Sequence, residues 1–165
     1  MRTWRDPLDP ADFPISSPSW SACTSGAQMA GLVRLEALWH HGGIYVDSDC
    51  EPYRSLEPLL GLHAFAGWED NAVVPDAVIG AEPGHPAIRR CLDLAMVRVP
   101  QGAWASGPGT TTEVLTARDD VLLLPPGSLY PYHYKAKNLR HRDHASEQPW
   151  AFMAHHWAGS WLAKR

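Results

Sequence analysis

Asp47-Ser48-Asp49 stands where the apolar run Ile44-Tyr45-Val46 gives out into a loop. Two carboxylates two residues apart at a strand end suit a divalent cation, because hard cations take oxygen ligands and a strand end is fixed on one side and open on the other. Asp is also common at strand ends, so a solvated turn has the same pattern. Cys50 follows directly, but a thiolate suits softer metals than Mg²⁺ or Mn²⁺, and it reads as a packing residue. Cys23, Cys50 and Cys91 are an odd set without CxxC spacing, which indicates neither a disulfide framework nor a zinc ribbon. His40, His41, His63, His85, His133, His141 and His144 show no metal-ligand spacing.

The Asp pair needs a frame. Gln28 to His41 carries Met29, Leu32, Val33, Leu35, Leu38 and Trp39, an apolar arc too wide for a surface helix, so a largely buried helix is expected. Gly42-Gly43 stops it, and Ile44 to Val46 is a short β-rich run. Strands are expected at Ala64 to Gly67, Ala77 to Ala81, Val121 to Leu124 and Ala151 to Ala154, the third of them buried. Pro86 to Val99 has a helical pattern with Pro in its first turn, and Thr110-x-x-Glu113 reads as a capping box opening a helix to Arg118. Strands alternating with helices give an α/β class. Residues 1–27 hold Pro7, Pro10, Pro14 and Pro18 and read as an N-terminal arm, with the domain itself over 28–165.

The run Arg34-Leu-Glu-Ala-Leu-Trp-His-His-Gly-Gly-Ile-Tyr-Val-Asp-Ser-Asp49 closely resembles the sugar-binding region of glycosyltransferase family 32. Ile79-Gly80-Ala81 with Gly84-His85-Pro86, Gly107-Pro108, and His155 with Ser160-Trp161 resemble further stretches of that family in the same order. The resemblance implies a GT-A type, Rossmann-like fold and a nucleotide-sugar donor such as a UDP- or GDP-hexose. It also implies a glycan or other hydroxyl acceptor, and Mn²⁺ or Mg²⁺ between Asp49 and the donor diphosphate. A cation there neutralises the charge that builds on the leaving nucleoside diphosphate. By the same resemblance Asp47 touches the sugar or ribose and reaches the metal through water, Arg34 holds donor oxygens, and Tyr45 lines the donor pocket. Gly107 and Pro108 form a substrate loop, while His155, Ser160 and Trp161 close over the metal and diphosphate, with His155 a further metal ligand.

The implied function is a metal-dependent hexosyltransferase that retains configuration. The alternative is a catalytically silent remnant that binds a nucleotide sugar, a glycan or a partner chain. Two departures from the family bear on the choice: Ala30-Gly31 stand where it has Ser-Asp, and only 33 residues precede Arg34. Part of the N-terminal nucleotide-binding half is therefore expected to be lacking. A parallel sheet without its first strand exposes an edge, to be covered by the arm or by self-association.

Composition narrows the rest. Of 165 residues, 45% are hydrophobic and 19% charged, which excludes disordered and coiled-coil classes. A net charge of −4 disfavours sequence-blind nucleic-acid binding. The N-terminus has no apolar leader and no stretch spans a bilayer, so a cytoplasmic protein with no membrane span is expected. Among the 14 basic residues Arg far outnumbers Lys, as in a GC-rich bacterial or phage gene.

Overall fold

The computed structural model describes residues 7–139 and 142–158. Helix α1 (Gly26–His41) opens on Ser25, whose hydroxyl accepts from the Gln28 N–H, and closes on Gly42. Gly42 has φ +62°, and a Cβ there would lie 2.6 Å from Pro83 Cδ. The helix therefore stops in a turn that only glycine fits, delivering the chain straight into β1 (Gly43–Val46).

Strands β2 (Cys50–Pro52), β3 (Ala64–Gly67) and β4 (Val78–Ala81) follow, then α2 (Pro86–Arg98), α3 (Ala103–Ser106) and α4 (Pro108–Thr116). The last elements are β5 (Leu122–Leu124), α5 (His144–Glu147) and β6 (Met153–His155). The main sheet has the order β1-β4-β3-β5, and β2 pairs with β6 in a separate ribbon. This mixed α/β architecture agrees with the α/β class expected. The sheet is not parallel throughout, however: β1–β4 and β3–β4 are antiparallel and only β3–β5 is parallel. The reason is local, since β3 and β4 are joined by residues 68–77 without the crossover helix that a parallel return needs.

Alternation along the strands divides the core. Ala64, Ala66, Ile79 and Ala81 face Leu32, Leu35 and Leu38 of α1, Ile88, Cys91 and Leu92 of α2, and Val114 and Leu115 of α4. Phe65 and Val78 point the other way, to Leu59, Leu129, Tyr130 and Met153. Gly80 lets the Phe65 ring lie across β4, since a Cβ there would stand 2.0 Å from its Cε1.

Three expectations change. The capping box at Thr110 is absent, because Gly107 and Pro108 start α4 earlier. Thr110 is thus inside the helix, donating to the Ala105 carbonyl, and Glu113 pairs with Arg98. Strand β5 is not buried throughout, as Leu122 is 47% exposed and Val121 just before it turns inward. The arm docks on a helix: the buried Glu36 carboxylate of α1 accepts from the Ile15 and Ser16 N–H groups, at 2.8 Å each. Phe13 is buried, and Ile15 and Trp20 pack on the helical side of the core; Trp4 lies outside the described residues.

Candidate active site

Strand β1 ends at Val46, and a turn in which the Cys50 N–H donates to the Asp47 carbonyl carries the chain into β2. That turn places Asp47 and Asp49 on one side of a cleft of about 970 Å³. Strand β6 pairs antiparallel with β2, with Cys50 opposite His155, so the imidazole comes beside the carboxylates. His155 Nε2 is 3.0 Å from Asp49 Oδ1 and 3.8 Å from Asp47 Oδ2. The second Asp49 oxygen accepts from the Ala158 N–H at 2.8 Å. Three potential ligand atoms, one each from Asp47, Asp49 and His155, thus lie within 4.8 Å of one another.

The fit to a cation follows from these lengths. Neighbouring ligands of an octahedral ion with bonds of about 2.1 Å stand about 3.0 Å apart, and opposite ligands about 4.2 Å. An ion between these atoms needs only small side-chain adjustments. Burial lowers the His155 pKa, more than the nearby Asp49 and Asp47 charges restore it, and keeps the ring neutral, as a ligand must be. Its Nδ1 is buried without a hydrogen-bond partner among the described residues. The Trp157 ring lies against the imidazole at a tilt of 57°, with 4.2 Å between centroids. Trp157 has φ +51°, alone among the described non-glycine residues in the left-handed region, and its Nε1 donates to the Tyr132 carbonyl. The bend folds the indole back onto the histidine two residues before it.

Arg34 emerges from α1 into the same cleft, 6% exposed. Its Nη2 is 3.2 Å from Asp47 Oδ1, its Nη1 is 3.3 Å from Asp76 Oδ2, and it also donates to the Asp76 carbonyl. Burial alone would lower its pKa, but the Asp76 and Asp47 charges more than offset that and hold it protonated. The Tyr45 ring lies under the guanidinium at 4.5 Å, and its hydroxyl donates to Asp47 Oδ1 at 2.7 Å. Burial raises Asp47, with Arg34 and the Tyr45 hydrogen bond opposing it. The carboxylate is therefore partly desolvated, next to a fixed cation.

Gly107 and Pro108 line the cleft as well, and a Cβ on Gly107 would stand 3.1 Å from Asp76 Oδ2. Ser160 and Trp161 lie outside the described residues. Asp76, beside Gly107 in the cleft, pairs with Arg34. Glu69 and His133 on the far rim were not singled out. The Glu69 carboxylate accepts from the Tyr134 N–H and so holds the loop after β5 against the cleft. No sequence signal marked that contact, because it joins two loops 65 residues apart.

Comparison with known proteins bears on this arrangement. Residues 11–66 match the family described as "Glycosyltransferase sugar-binding region containing DXD motif". That stretch includes the arm from residue 11 onward, α1, β1 and the Asp47-Ser48-Asp49 turn, and it carries the region that begins the resemblance. Mannosyl phosphorylinositol ceramide synthase SUR1 of Saccharomyces cerevisiae is 35% identical over 65 residues, covering 39% of this chain and 17% of the relative. Inositol phosphoceramide mannosyltransferase 3 of Schizosaccharomyces pombe is 31% identical over 75 residues, or 46% of this chain and 21% of the relative. The matched stretch is thus about a fifth of the relatives' length. Among solved structures, the PaToxG glycosyltransferase aligns with TM-score 0.47 and 25% identity, over 55% of this chain and 34% of that one. No helix among the described residues is long and apolar enough to cross a membrane.

Proposed function

We propose that the protein is a metal-dependent hexosyltransferase, moving a hexose from a nucleotide-sugar donor to a glycan or other hydroxyl acceptor with retention. The observation that carries this reading is the meeting of Asp47, Asp49 and His155 in one cleft with a buried Arg34 beside them. Asp49 and His155 would hold the cation directly, and Asp47 would act through water and through the donor. A bound cation supplies Lewis-acid neutralisation of the leaving diphosphate. An imidazole nitrogen beside a carboxylate would favour Mn²⁺ over Mg²⁺, which prefers oxygen alone. Arg34 offers its remaining donor capacity to donor oxygens, oriented by Asp47, Asp76 and the Tyr45 face. Tyr45 lines the donor pocket, and Gly107 and Pro108 leave backbone open to the substrate. The relatives' names support a mannosyl group as the sugar, which makes GDP-mannose the first donor to try.

The test is turnover by the purified protein of a panel of UDP- and GDP-hexoses, with Mn²⁺ and with EDTA. Transfer or donor hydrolysis that needs the metal, and that Asp49→Asn abolishes, is expected. Donor binding without turnover in any combination would favour the silent binding protein instead.

A further inference from the structure

A large aromatic side chain stands open at the mouth of the cleft. Trp104, in α3, is 66% exposed and lines the same cleft as Arg34, Asp76 and Gly107. It is not a loose surface residue. One edge of the indole rests on Gly109 of α4, where a Cβ would come within 2.8 Å of Cζ3 and 3.1 Å of Cε3. Its short helix is packed against α1, α2 and α4. The ring is therefore held in place while much of its surface faces solvent, an arrangement that costs hydration without burying apolar area in the fold.

The side chains between this ring and the cation cluster are in contact in a fixed order. Asp47 touches Arg34 at 3.2 Å, Arg34 touches Asp76 at 3.3 Å, and Asp76 borders Gly107, two residues before Gly109. Gly31 also borders this carboxylate, where a Cβ would be 3.9 Å from Oδ2. Two positions without side chains thus leave the Asp76 carboxylate approachable. A carboxylate that accepts from hydroxyls, next to an open aromatic face, matches a sugar ring, which presents hydroxyls at its rim and C–H groups on its face.

We infer that Trp104 is the stacking platform for the ring of the acceptor, with Asp76 and the Gly107 backbone bounding the space between acceptor and donor sugar. This rests on the proposed transferase reading for the assignment to the acceptor. A donor is linear, running from base through diphosphate to sugar. With its diphosphate at Asp49 and its sugar over Arg34 and Asp76, what lies beyond the sugar is the nucleophile's ring rather than the base. A cleft of about 970 Å³ is at the upper end of the range for single small-molecule sites, about 300–1,000 Å³, and has room for both.

Trp104→Ala, Trp104→Phe and wild type are compared in two measurements. In the first, saturation-transfer NMR reads binding of methyl α-mannopyranoside and of myo-inositol to the full chain, with no turnover required. Binding of at least one probe to wild type, weakened about tenfold in Trp104→Ala and largely restored in Trp104→Phe, is the expected result; a tenfold loss corresponds to one aromatic contact. Absence of binding to wild type, or equal binding to all three proteins, overturns the platform. In the second, the KM for acceptor and the KM for donor are separated. A rise of about tenfold confined to the acceptor supports the inference, and a rise in the donor KM instead makes Trp104 a nucleobase platform and overturns it. A wild type that binds the saccharide probes but turns over no donor defeats the transferase reading while leaving the sugar site standing. Thermal denaturation of Trp104→Ala distinguishes misfolding, and if it fails to fold, Trp104→Phe against Trp104→Gln carries the comparison.

Discussion

A guanidinium 6% exposed between two carboxylates is a costly arrangement to break. Arg34→Met removes the charge while filling the volume, and leaves Asp47 and Asp76 facing each other without a cation. Loss of one partner from a buried ion pair costs about 3–5 kcal/mol, and about 2 kcal/mol is expected here because Asp47 and Asp76 keep some solvent access. Urea denaturation reads this directly, and an unchanged midpoint would mean that the carboxylates repel little or become protonated. Cys91 behaves differently, as it is fully buried against the helical core. Burial pushes its thiol from 9.0 up to about 12. The folded state therefore keeps its proton while the unfolded thiol ionises, so this residue's contribution to stability is present below pH 9 and is lost as pH rises towards 12. Iodoacetamide at pH 8 is expected to spare Cys91 in the native protein and to label it in urea, with mass spectrometry as the readout.

At the scale of elements, the turn between α1 and β1 is the joint on which the site depends. Gly42→Ala adds a Cβ at φ +62° against Pro83, and a loss of about 2 kcal/mol, more than strain alone, is expected in thermal unfolding. Leu35→Ala, in the buried face of α1, should cost about 2–5 kcal/mol, whereas Leu122→Ala should cost under about 1 kcal/mol because the side chain is half exposed. Sequence periodicity made α1, β1, β3, β4 and α2 legible to within a few residues, because their apolar patterns and glycine or proline ends are local signals. Leu122 misled because three consecutive leucines carry no alternation to tell the inner face from the outer. The last expected strand lies within two residues of β6, but β2 and its pairing were missed: Cys50-Glu51-Pro52 is short, polar and proline-ended, and becomes a strand only by pairing with Met153 to His155. Asp47 and Asp49 were legible from their spacing at a strand end, and Arg34 and His155 through the family resemblance, but nothing local in the sequence shows Asp76 turning onto Arg34.

Across the whole molecule, the arm and the last strand both fold back onto the helix and turn that carry the motif. Glu36 holds the arm through two backbone N–H groups in a fully buried setting. Glu36→Leu should leave those groups unsatisfied, cost about 1–3 kcal/mol, and make the chain before residue 25 the first site of limited proteolysis. Cleavage beginning elsewhere would show that Phe13 and Trp20 anchor the arm without it. The pairing of β2 with β6 has a consequence in time. Asp49 and His155 are 106 residues apart, so the carboxylate turn emerges from the ribosome long before its imidazole exists. Contacts of such separation close late, after the intervening chain has collapsed. A nascent chain stopped before residue 155 would then hold a folded helical layer and an aspartate turn without the imidazole beside it, so the Asp47, Asp49 and His155 cluster assembles only once β6 has been made.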